Sequence, residues 1–225
     1  MDLTLAPLEH PRRHRSSLKI AAAILLAGCL LFWPVLGEDY SLVNQAGGFG
    51  YTPLGDLSGS GAAYEFKDLK GFDQVQLTFS DMLASADNAD LIMEMSSDAG
   101  ATWESAHYNA GGTAVNPKGG TISLLNDVDA AAAHLYFAMD NAAGSQNAGQ
   151  FDFLSLQSSV SYKPFHGWCI GFYNADHQAW PGSISGYLRL TAPITGIRLR
   201  YVDHNNNARA LTIIQGRVSL VGIRR

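Results

Sequence analysis

Charge is scarce in this chain: Asp, Glu, Lys and Arg make up 16% of its 225 residues, against about a quarter in an average soluble domain. Basic charge is the scarcer sign, with 15 Lys and Arg against 20 Asp and Glu and a net charge of −5. Arg12, Arg13, Arg15 and Lys19 all fall within residues 1–37, so the remainder is more acidic than the whole. A nucleic-acid footprint needs clustered Lys and Arg, and that class of partner is excluded. Only two cysteines occur, Cys29 in an apolar segment and Cys169 in a strand-patterned one. They are not expected to pair, and a disulfide scaffold is excluded. There is no internal repeat, which argues against a propeller or solenoid.

The patterns that carry catalysis are missing as well. The nearest approach to a nucleophile elbow is Gly182-Ser183-Ile184-Ser185-Gly186, which precedes strand-like Tyr187–Leu190 rather than opening a helix. His107, His134, His166, His177 and His204 are scattered, with no Cys/His cluster of ligand spacing. Asp81, Asp87 and Asp90 are close in sequence but lack the regular spacing of a calcium loop. No catalytic residue, metal or cofactor is expected, and the protein is not expected to be an enzyme.

What the chain does contain is strand patterning, centred on Val75–Trp103. Val75, Leu77 and Phe79 share one face of an extended run, and Leu91, Met93 and Met95 do the same in the next. The second run ends in Ser96-Ser97-Asp98-Ala99-Gly100-Ala101-Thr102-Trp103, which fits the S-x-D-x-G-x-T-W Asp-box, a structural hairpin in sialidase-like propellers. Asp98 is expected to cap backbone amides, Gly100 to take positive φ, Thr102 to bond across the turn, and Trp103 to plug the hairpin from below. All four are read as a structural turn.

Further strands are expected at 62–69, 135–139, 151–156, 160–162, 168–173, 184–190, 197–202, 211–214 and 218–223, with turn residues between almost all of them. Residues 107–121 are patterned weakly and contain a Gly-rich loop. Residues 122–134, with their run of alanines, are the one helical turn expected in the body. So many short strands point to an all-β sandwich or barrel. Within Phe165–Trp180, Trp168, Ile170 and Phe172 share a face and are assigned to the core. Tyr173, His177 and Trp180 lie in or beside a polar loop and are candidate ligand contacts, since exposed aromatics stack on sugars.

Three segments result. Residues 1–37 are basic, then apolar from Ile20 to Leu36: a signal, a membrane anchor or a helix buried in an oligomer. Within them, Leu26-Ala27-Gly28-Cys29 matches a lipobox. Residues 38–61 are a Gly-rich linker or irregular first strand, and 62–225 form the β domain.

The order of phrases in this domain resembles a family of phage and prophage virion proteins associated with tail fibres or tail tips. The phrases are Asp68-Leu69-Lys70-Gly71-Phe72-Asp73, then Ala84–Leu91, then Ser96–Trp103, then Ile197–Arg200, Asp203–Asn207 and Gly216–Arg224. The likeness covers roughly residues 50–225. It implies an antiparallel jelly-roll-like β-sandwich preceded by the apolar N-terminal segment, in helical form. It also implies a non-enzymatic structural or adhesion role in the virion, other virion proteins and a host-surface glycan as partners, and a homotrimer. The alternative reading is a secreted or membrane-anchored bacterial carbohydrate-binding module, held in the envelope through Ile20–Leu36.

Overall fold

A computed structural model describes residues 50–175 and 177–224. Strand accounts for 64% of the described residues and helix for none of them, which makes the fold all-β. The apolar helix expected over Ile20–Leu36 lies outside the described residues, as does Cys29.

Thirteen strands follow in order: β1 (Gly50–Ser58), β2 (Tyr64–Lys67), β3 (Gln74–Ala84), β4 (Ala89–Ser96), β5 (Tyr108–Val115), β6 (Ile122–Ala130), β7 (Ala133–Met139), β8 (Asn147–Phe153), β9 (Lys163–Tyr173), β10 (Gln178–Leu188), β11 (Gly196–Asp203), β12 (Asn206–Leu211) and β13 (Ile213–Arg224). Every pairing is antiparallel, and together the strands make one curled sheet. One arm runs β1-β13-β3-β8-β9-β10-β5-β6. The other runs β7-β4-β11, with β2 and β12 end to end along the free edge of β11. A single residue pair, Met139 with Tyr173, joins β7 to β9 and so links the arms.

The period-two pattern is obeyed where it is clearest. Val75, Leu77 and Phe79 of β3 and Leu91, Met93 and Met95 of β4 are all at most 1% exposed and belong to one continuous core. At about 25 cal/mol per Å² of apolar area removed from water, that shared core is the main force holding the arms together.

Of the two readings of residues 38–61, the first strand holds for Gly50–Ser58, which forms β1 and pairs along its length with β13, so the β domain begins at Gly50 and not at residue 62. Three expectations are overturned by packing. Residues 122–134 are not helical: β6 and β7 flank a turn in the alanine run, because partners on β5 and β4 outweigh the helix preference of four alanines. Of the Gly-rich segment expected as a loop, the part up to Val115 is strand β5 and only residues 116–121 turn. A Cβ on Gly112 would lie 2.5 Å from the Ser183 carbonyl oxygen of β10, so close strand approach calls for glycine there. Val160–Tyr162 is loop, with Val160 84% exposed.

The face of β9 is also reversed. Trp168 and Ile170 are 50% and 36% exposed, while Phe165 and Cys169 are buried. The inward positions between and beyond these are Gly167 and Gly171. A Cβ on Gly167 would lie 2.6 Å from the Phe151 ring, and one on Gly171 2.6 Å from the Tyr136 ring. Rings from neighbouring strands fill the space, so the inward face is the one that looks least hydrophobic in sequence.

Candidate functional site

Strand β4 is buried on both faces. One face gives Leu91, Met93 and Met95 to the core. The alternate residues Asp90, Ile92 and Glu94 therefore carry two carboxylates into the other buried face, and each must find partners. Glu94 sits opposite Arg198 on β11 and binds both arginines of that strand, with Arg198 Nε at 2.5 Å, Arg200 Nε at 2.8 Å and Arg200 Nη2 at 3.0 Å.

Asp90 is at the other end, beside the turn of the β11–β12 hairpin. Its Oδ1 accepts the Ala138 N–H at 2.7 Å and lies 2.8 Å from His204 Nδ1, while its Oδ2 lies 3.5 Å from His134 Nε2. His134 Nδ1 is 2.9 Å from Asp127 Oδ1, and its backbone N–H donates to Asp127 Oδ2 at 2.9 Å. Asp127 on β6, His134 on β7, Asp90 on β4 and His204 on the hairpin turn thus form a continuous polar chain. Burial pushes the Asp90 carboxyl above its ordinary range, against the pull of Ala138 N–H and the two imidazoles. Burial also opposes the His134 imidazolium, but its bond to Asp127 and the two nearby carboxylates raise its pKa overall.

A cleft of about 390 Å³ opens over this chain. Phe137 and Tyr173 supply aromatic walls, their rings edge to face at 6.3 Å. Ser123, Asn207 and His204 add hydroxyl, amide and imidazole groups around Asp90 and His134. A second cleft of about 380 Å³ adjoins it, sharing His134 and Asn207 and bordered by Glu94 and Arg200. Aromatic faces beside convergent polar groups on rigid strands suit a polyhydroxylated ligand: apolar sugar faces stack while hydroxyls pair with the rim.

Of the three candidate ligand contacts, Tyr173 lines this cleft, and the other two are elsewhere. Trp180 is not exposed; it is 5% accessible and packs behind Tyr173 with ring centroids 4.5 Å apart. His177 is exposed, its Nδ1 2.7 Å from Oδ2 of buried Asp140, which ties His177 to the 140–145 loop. Its bond to His177 helps hold the Asp140 carboxyl below its ordinary range despite burial, together with the Ala142 N–H and the Ser145 hydroxyl. The Asp203–Asn207 tip does reach the cleft, through His204 and Asn207.

Asp90, His134 and Phe137 were missed as site residues. Asp90 read as one of three loop aspartates, and His134 and Phe137 fell at and beyond the end of the expected helix. The one available signal was a pair of acidic residues, Asp90 and Glu94, on one face of an otherwise apolar strand. Asp81 and Asp87 are engaged separately, with Ser80 Oγ and the Asn141 N–H. Among the described residues no group of three or more His, Cys, Asp or Glu is placed to hold a metal ion.

The Ser96–Trp103 turn lies at the far end of β4. Thr102 donates to Asp98 through its backbone N–H at 2.8 Å and its hydroxyl at 2.6 Å, and Ser96 Oγ donates to Asp98 Oδ1 at 2.7 Å. These bonds, the Thr102 hydroxyl first, hold the Asp98 carboxyl down at about 2. Gly100 has φ +82°, the left-handed conformation that glycine adopts without strain. The segment is not a hairpin between paired strands, since β4 pairs with β7 and β11 and not with β5. Nor is Trp103 a buried plug. It is half-buried, with the Arg198 guanidinium 4.6 Å above its ring. Asp98→Ala is therefore expected to lower the melting temperature by a few degrees. Trp103→Ala is expected to cost about 1–2 kcal/mol, well short of the ~3–5 kcal/mol expected of Trp180→Ala. Thermal and urea unfolding of the three variants checks the ranking.

No protein-family model, curated protein or solved structure matches the chain.

Proposed function

We propose that this protein is a non-enzymatic recognition protein of a tailed-phage particle, and that it binds a host-surface saccharide in the cleft above Asp90. The observation that carries the recognition reading is the cleft's composition: Phe137 and Tyr173 as stacking walls around Asp90, His134, His204 and Asn207. The carboxylates there are engaged by two backbone N–H groups and by imidazoles. Such bonding fixes side-chain positions for binding. The virion setting rests on the sequence phrases between residues 68 and 224. In this reading the curled sheet closes as a jelly-roll-like sandwich with the cleft at one end, where loops vary without disturbing strands. Affinity per site is weak, around mM to μM, and several copies on one particle multiply it into firm attachment.

The test is a glycan array of bacterial envelope saccharides, probed with the full chain and with a Tyr173→Ala/His204→Ala double variant. Both side chains are partly exposed, so the variant is expected to keep its melting temperature within a few degrees and to lose at least about tenfold in binding. A folded double variant that binds like the parent rules out this cleft as the recognition site.

A further inference from the structure

The cleft above Asp90 continues along β4. That strand carries Asp90, Ile92 and Glu94 on one face, and β11 sets Val202 opposite Asp90 and Arg200 opposite Ile92 with no break in register. At about 3.4 Å per strand residue, Ile92 is roughly 7 Å and Glu94 roughly 14 Å from Asp90 along the strand. The second cleft, of about 380 Å³, lies over this stretch. Its floor is Ile92 and Val202, which with Ala132 form a small apolar cluster apart from the main core. The turn at residues 130–132, leading into β7, and Ala208 of β12 supply its walls.

This cleft differs in composition from the first. Among the described residues no Phe, Tyr or Trp lines it, and its walls are alanines. A sugar ring has no platform to stack on there. What such a surface takes up is a small aliphatic group. The charges in the lining are matched within the protein. Arg200 reaches Glu94 through Nε at 2.8 Å and Nη2 at 3.0 Å, and His134 is held between Asp127 and Asp90. The Ser105 hydroxyl and the Asn207 carboxamide, on exposed residues, are the neutral polar groups on the rim. Asn207 lines the first cleft too, so it stands at the junction.

A ligand that passes from the first cleft into the second must then be polar at the junction and aliphatic beyond it. Among common sugar substituents the acetamido group has that build, an amide to pair with a carboxamide and a methyl to bury. A deoxy-sugar methyl brings no amide, and a hydroxyl brings no apolar surface.

Resting on the saccharide reading of the cleft above Asp90, we propose that the saccharide bound there carries an N-acetylhexosamine unit in the second cleft. Its acetamido methyl lies on Ile92, Val202 and Ala132, and its amide pairs with Asn207.

The experiment titrates disaccharides of N-acetylglucosamine and N-acetylgalactosamine into the full chain, beside glucose and galactose disaccharides of the same linkages and their 6-deoxy forms. The methyl signals of Ala132 and Val202 report the second cleft by NMR, and the His204 ring reports the first. At least one acetamido disaccharide is expected to move all three signals. It is expected to bind at least about fourfold more tightly than its hydroxyl counterpart, the gain from burying one methyl group. Ala208→Phe, which fills the cleft from an exposed wall, is expected to melt within a few degrees of the parent and to bring that preference below about twofold. Should it melt well below the parent, Ala131→Phe, at another exposed wall position, takes its place. The proposal is overturned if acetamido and hydroxyl forms bind alike, if the 6-deoxy form binds tightest, or if a folded filled variant keeps the parent's preference. In each of these cases a His204 shift leaves the first cleft standing as a saccharide site. No His204 shift from any acetamido disaccharide overturns the proposal as well, and the glycan array then decides whether the saccharide reading falls with it.

Discussion

Replacing Lys163 by Met is expected to remove about 3–5 kcal/mol of stability, the largest single loss from any polar residue in the domain. Lys163 opens β9 and is fully buried. Its ammonium donates to the carbonyl oxygens of Ser155 at 3.1 Å, Ser161 at 3.1 Å and Thr191 at 3.3 Å, and also to that of Ser158. Three N–H groups thus serve four main-chain oxygens of two loops that no strand ladder satisfies. Burial pulls the Lys163 pKa down, opposed by the Asp73 carboxylate. Methionine matches the side chain in length and shape but offers no donor, and of the four oxygens that of Ser155 keeps the Ser158 N–H at 3.1 Å. Urea unfolding at neutral pH measures the loss. A cost under about 1 kcal/mol would mean that the loops find other partners and that the lysine is dispensable.

Glu94 is the second large effect. Glu94→Gln is expected to cost about 3 kcal/mol, because Arg198 and Arg200, each only 21% exposed, lose the carboxylate that balances them. The pH dependence has a definite sign. Burial raises the Glu94 carboxyl, but the bonds from Arg200 and Arg198 outweigh it and hold the folded pKa below its ordinary 4.5. A depressed folded value means that the stabilisation is fully present above pH 4.5 and is lost as pH falls through the folded pKa. Parent and Glu94→Gln are therefore expected to differ most at neutral pH and to converge in acid. Paired denaturation curves from pH 7 down to about pH 2 check this. A gap that widens in acid would contradict the assignment of Glu94 as an ionised partner of both arginines.

The strands legible in sequence were those whose inward residues are large and whose neighbours are polar. Leu91, Met93 and Met95 announce a strand because Asp90 and Glu94 interrupt them, yet the same alternation concealed the site. The period that marks a core face marks the other face as solvent, and here β6, β7 and the β11–β12 turn cover it. Strand β9 was read upside down for the converse reason: Gly167 and Gly171 face inward, beneath the Phe151 and Tyr136 rings. Whether a glycine makes room for a ring on another strand is a tertiary fact with no local trace. Strands β5 and β6 were hidden the same way, one by paired glycines and the other by its approach to an alanine run. His134 and His204 meet across Asp90 only because β7 and β11 flank β4.

The recognition cleft is tested most directly by its own imidazoles. The full chain is titrated with an envelope saccharide retained on the array, and the ring signals of His204 and His134 are followed by NMR. The account predicts that both shift in step with saturation, and that Tyr173→Ala reduces the shifts at equal ligand concentration. Saccharide binding that leaves both imidazole signals unmoved would contradict it.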